Sequence, residues 1–170
     1  MTAIFSDELD EALKLLRIDP QRSLEVCDRY LAAHPDDPSG LFSRFQAWCR
    51  LGNNDSALKD INRVLELDPN CGGFSSRGKF FHDIGEHRRA VEDLTKAKEL
   101  NEYEWQTSLD PCLRADSLAK LGRLREALAD CEFIPDDHWM PSFDGLPGGT
   151  KAQFIDEIKH RAALAVGGVT

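Results

Sequence analysis

The chain has 170 residues, 41% of them apolar and 30% charged, enough for one hydrophobic core and marginal for two. Thirty acidic side chains against twenty-one basic ones give a net charge of −9, a poor match for nucleic acid, whose phosphates demand a basic face. No apolar run approaches the ~20 residues of a membrane span, and the stretch from Met1 to Ala12, with acids and no base, is the wrong start for a secretory or mitochondrial signal.

The first predicted element is a helix over about Ser6 to Arg17, with Leu9, Leu13 and Leu16 on one face. Asp19-Pro20 then opens a second helix, as an N-cap followed by proline at the first helical position. From Pro38 the apolar residues Leu41, Phe45, Trp48 and Leu51 form one stripe of a 3.6-residue period, closed by Gly52. The following helix stops at Leu67-Asp68-Pro69, because the residue before a proline leaves the α region. A further helix pair turns at Gly85, and another, after an insertion around Glu102 to Thr107, turns at Gly122. Residues 135–149, PDDHWMPSFDGLPGG, are too rich in proline and glycine for helix. Thr150 with Gln153 starts a capping box, and Phe154, Ile158, Ala162 and Ala165 make the apolar face of a terminal helix over 151–166.

The turns share a register. Aligned on Gly52, Gly85 and Gly122, spaced 33 and then 37 residues apart, the chain has Arg44, Arg77 and Arg114 eight residues before and Ala57, Ala90 and Ala127 five after. Asp60, Asp93 and Asp130 stand eight after. The glycines are expected in the left-handed conformation that ends a first helix, and the alanines where its partner approaches most closely. Each arginine is expected to bond an aspartate of the paired column, tying helices together rather than serving a ligand.

This pattern resembles the tetratricopeptide repeat family, whose unit is about 34 residues, and in particular small bacterial members. The copy from Pro38 to Cys71 matches without a gap, and a degenerate first copy has Ser23 in the alanine column. The resemblance implies an all-α, right-handed α-α superhelix of about nine helices. Residues 1–134 would hold about four repeats, 135–149 a loop, and 150–170 a capping helix and tail. By resemblance the inner groove is lined by first helices, and Phe42, Gln46, Arg50, Lys79, His82 and Asp116 are the candidate peptide-binding residues. Chaperone-binding members hold a terminal carboxylate with Lys, Asn, Asn, Lys and Arg. The matching positions here are Phe42, Gln46, Ser76, Leu109 and Leu113, which disfavours that ligand.

Other candidates read more simply as structure. Cys27, Cys49, Cys71, Cys112 and Cys131 are odd in number, widely spaced and without a C-x-x-C pair, so they read as reduced thiols of a cytoplasmic protein. Asp136-Asp137-His138 reads as turn chemistry rather than a metal site, and Trp139, Met140 and Phe143 as a plug under their own loop. No phosphate loop or hydrolase motif is present, and neither Cys49 nor Cys112 has a base in sight. The expectation is a non-catalytic adaptor that binds another protein or a peptide, without cofactor, metal, nucleic acid or membrane, as a monomer or weak homodimer. The alternatives are a secretion-type chaperone and a peptide-responsive regulator.

Overall fold

The computed structural model describes residues 7–136 and 149–167. Among these are ten helices and no extended strand: α1 (Asp7–Leu15), α2 (Pro20–Ala33), α3 (Pro38–Leu51), α4 (Asn54–Leu67), α5 (Cys71–Asp83), α6 (His87–Leu100), α7 (Glu102–Thr107), α8 (Asp110–Lys120), α9 (Leu124–Cys131) and α10 (Lys151–Gly167). Four helix pairs and a terminal helix account for nine. The tenth, α7, is the insertion, folded into a helix of its own. The expected packing of Trp139 and Phe143 lies outside the described residues.

The chain divides into two compact units, residues 1–73 and 74–170, with the boundary in the first turn of α5. In the first unit, Asp19 caps α2 by accepting from the Arg22 N–H, and Asp37 caps α3 by accepting from the Ser39 N–H at 2.8 Å. Asp37 also accepts from the Tyr30 hydroxyl, so one carboxylate joins the end of α2 to the start of α3. Burial works to raise Asp37, but these hydrogen bonds outweigh it and hold the carboxyl below its ordinary range. The α1–α2 contact is close enough for the Ser23 hydroxyl to donate to the Ala12 carbonyl at 2.8 Å. A small residue is therefore needed in that column whether or not it is alanine.

In the second unit, α5 and α6 also meet closely. A Cβ on Gly78 would stand 2.8 Å from Leu94 Cγ. The core around α8 and α9 includes Cys112, Ala115, Leu118, Ala127 and Cys131, and α10 closes it with Phe154, Ile158 and Ala162. The capping box that starts α10 forms in both directions: the Thr150 N–H donates to Gln153 Oε1 at 2.8 Å, and the Gln153 N–H to Thr150 Oγ1 at 3.4 Å.

Candidate functional site

Each of the repeating arginines forms a fork on the aspartate of its own helix pair. Arg44 donates from Nε and Nη2 to the two oxygens of Asp60, and from Nη1 to Asp28 of the preceding pair at 2.9 Å. Arg114 grips Asp130 in the same way, at 2.7 and 2.9 Å, and turns Nη1 to Thr95 of α6 at 3.0 Å. Arg77 holds Asp93 through Nε and Nη2 at 2.7 and 2.8 Å. The planar guanidinium suits this task because two of its N–H groups match one carboxylate while a third reaches a neighbouring helix. Each fork joins residues eight positions before and eight after a left-handed glycine turn: φ is 72° at Gly52, 81° at Gly85 and 74° at Gly122.

No family model matches the chain. Over 72% of its length and 32% of the relative's, it is 30% identical to the protein SGT1 homolog of Bos taurus. Its fold superposes on YrrB, a TPR protein with an unusual peptide-binding site, at 20% identity and a TM-score of 0.62, covering 74% of this chain and 64% of that one. It also superposes on TTC0263, a thermophilic TPR protein of Thermus thermophilus, at 20% identity and a TM-score of 0.63, covering 94% and 79%. The chain carries tetratricopeptide repeats. It spans about a sixth to a third of the length of the curated relatives it matches.

In these repeats the first helices are α1, α3, α5 and α8, and every candidate binding residue lies on one of them. Their environments differ sharply. On α3, Phe42, Gln46 and Arg50 follow one another at four-residue spacing, and so share one side of the helix. The Phe42 ring is partly exposed and lies 5.8 Å from that of Phe45, which is buried. Gln46 Oε1 is buried without a hydrogen-bond partner, and Arg50 is exposed. On α5, Lys79 is exposed and pairs with Asp83 at 2.7 Å.

His82 and Asp116 depart from the expected groove lining, being 1% and 0% exposed. His82 Nε2 lies 2.9 Å from Asp116 Oδ2, and its Nδ1 lies 3.3 Å from Asp83 Oδ1. Asp116 also receives Lys120 at 3.0 Å and Arg161 of α10 at 2.8 Å. Burial opposes charge on His82, but the hydrogen bonds to Asp116 and Asp83 outweigh it and raise the ring above its ordinary 6.5. Burial likewise works to raise Asp116, and the bonds from His82 and Lys120 with the nearby Arg161 charge bring it below the usual carboxylate range. Both residues are thus spent inside the second unit, tying α5, α8 and α10 together.

Sequence reasoning passes over this network because its partners are distant in the chain. One signal is available: α8 reads Pro-Cys-Leu-Arg-Ala-Asp-Ser-Leu-Ala, small or apolar around nearly its whole circumference, which is the composition of a buried helix. Trp105 also escapes a reading by repeats. It is 1% exposed and meets Phe133 edge to face at 5.2 Å. The Lys98 ammonium sits over both rings, 4.6 and 4.4 Å from their centroids.

A cleft of about 490 Å³ lies in the first unit beside Arg44, Lys59, Arg63 and Glu66. Arg44 is taken by Asp60 and Asp28, and Arg63 by Asp36 and Glu66. The thiols of Cys112 and Cys131 are pushed up to about 12 by burial, which leaves them protonated and poor nucleophiles. Among the described residues no three His, Cys, Asp or Glu side chains are grouped to hold a metal ion, and no helix is long and apolar enough to cross a membrane.

Proposed function

We propose that this chain is a non-catalytic adaptor that binds a protein or peptide through the outward sides of its first helices, with α3 as the principal surface of the first unit. The observation that carries this reading is the row Phe42, Gln46, Arg50. It combines a partly exposed ring, a buried acceptor with no partner and an exposed guanidinium along about two turns of helix. A bound chain would cover the Phe42 ring, lie along the Gln46 side chain and offer a carboxylate or carbonyl to Arg50. In the second unit Lys79 and Asp83 are the exposed pair on α5, while His82 and Asp116 support them from within.

The peptide-binding site of YrrB, a protein of the same fold, supports this reading. In it, residues 1–134 are the repeat array and 150–170 its cap. The cysteines, present as thiols, suit a reducing, cytoplasmic setting. The test is to identify a partner by capture from the native source and to remeasure its affinity with Phe42→Ala and Arg50→Glu. Affinity is expected to fall at least tenfold with an unchanged melting temperature. Unchanged affinity would place the surface elsewhere, and an equal loss of folding would make these residues core.

A further inference from the structure

We propose that His82 is a pH-sensitive fastener of the second unit: with both ring nitrogens protonated it joins Asp83 at the end of α5 to Asp116 in the interior, and with one proton lost it releases Asp83. The geometry carries this. The His82 side chain is fully buried, and each ring nitrogen faces a carboxylate oxygen, Nε2 at 2.9 Å and Nδ1 at 3.3 Å. A neutral imidazole has one N–H and one lone pair, so it satisfies one carboxylate and turns a lone pair on the other. Only the imidazolium suits both.

Which bond survives deprotonation follows from burial. Asp116 is enclosed, and Lys120 and Arg161 keep it in place. Asp83 has a half-exposed side chain and a second partner in Lys79, so it can turn towards water. Neutral His82 therefore keeps its proton on Nε2 and lets Asp83 go. The released pair, Lys79 and Asp83, is the part of α5 that faces solvent, so a buried proton sets the arrangement of an exposed surface.

The groups facing the ring come from every helix around it. Asp83 and Lys79 belong to α5, Asp116 and Lys120 to α8, and Arg161 with its partner Glu157 to α10. His87 of α6 meets the His82 ring at 5.9 Å between centroids. It titrates the opposite way: burial, then the charges of Lys120 and His82, holds it below 6.5. A base whose charged form is favoured by folding adds stability that is complete below its unfolded pKa and is lost as pH rises through the native one. For His82 that loss begins above 6.5. His87, disfavoured as a cation, withdraws its contribution as pH falls below 6.5. The contributions of the two rings are together greatest near pH 6.5, and above it the His82 loss dominates.

The test is a nitrogen-detected NMR titration of the histidine rings in the full chain, alongside thermal melts between pH 6.5 and 8.5. His82 is expected to titrate above 6.5, and Asp83→Asn to bring that midpoint down. The melting temperature is expected to fall with rising pH in the native chain and to fall less in His82→Gln. A His82 midpoint at or below 6.5, a midpoint unmoved by Asp83→Asn, or an equal pH slope in His82→Gln overturns the proposal. If His82→Gln does not fold, the Asp83→Asn titration decides, because that substitution lies at the exposed end of the link.

Discussion

Arg44 holds Asp60 through two parallel hydrogen bonds, Nε to Oδ2 and Nη2 to Oδ1, both 2.8 Å, across the two helices of one repeat. Asp60 is 3% exposed, so its charge is tolerable only because the guanidinium answers both oxygens. The third bond of Arg44, to Asp28, extends the tie to the preceding helix pair.

Removing the fork leaves a buried carboxylate without a counter-charge. Arg44→Ala is expected to cost about 3 kcal/mol, the low end for breaking a buried pair, because a quarter of the Arg44 side chain remains in water. Arg44→Lys keeps the charge but not the fork and is expected to cost about 1 kcal/mol. Urea denaturation of both variants checks the order: equal losses would mean that the fork geometry alone matters, and no loss in Arg44→Lys would mean that charge alone does.

The glycine turns allow a cleaner comparison. A Cβ on Gly85 would meet nothing within 4 Å, so the cost of a side chain there is purely that of φ at 81°. Gly85→Ala should lose about 1–2 kcal/mol, and Gly85→Asn less, since asparagine visits the left-handed region more readily. Thermal denaturation of the pair measures it. Equal losses would point to a steric origin.

Trp105 belongs to no repeat, yet it is buried as deeply as any core residue. Trp105→Ala is expected to destabilise the second unit by about 3–5 kcal/mol. Hydrogen exchange should show the loss in α7 and α8 first, because Trp105 joins the insertion to Phe133, which follows α9. Little change in stability would make the insertion dispensable.

The repeats are legible because their signals are local. A glycine turn, a small residue at a helix crossing and an Arg–Asp pair sixteen residues apart each leave a mark at fixed spacing, and Gly52, Arg44 and Asp60 are where that spacing puts them. What spacing cannot convey is which helix covers which. Asp116 and His82 occupy positions that face outward in a repeat taken alone. They are interior here because Arg161, 45 residues further on, folds back onto Asp116. The insertion is hidden for a similar reason: six residues give too short a period to read, and the ring that anchors α7 finds its partner at Phe133.

The outward side of α3 as a working surface is tested most directly by photo-crosslinking. A photoreactive residue in place of Gln46 is expected to crosslink the captured partner, while the same residue in place of Lys59, on α4, is expected to leave it free. Crosslinking from position 59 alone, or equally from both, would contradict the assignment of α3 as the binding face.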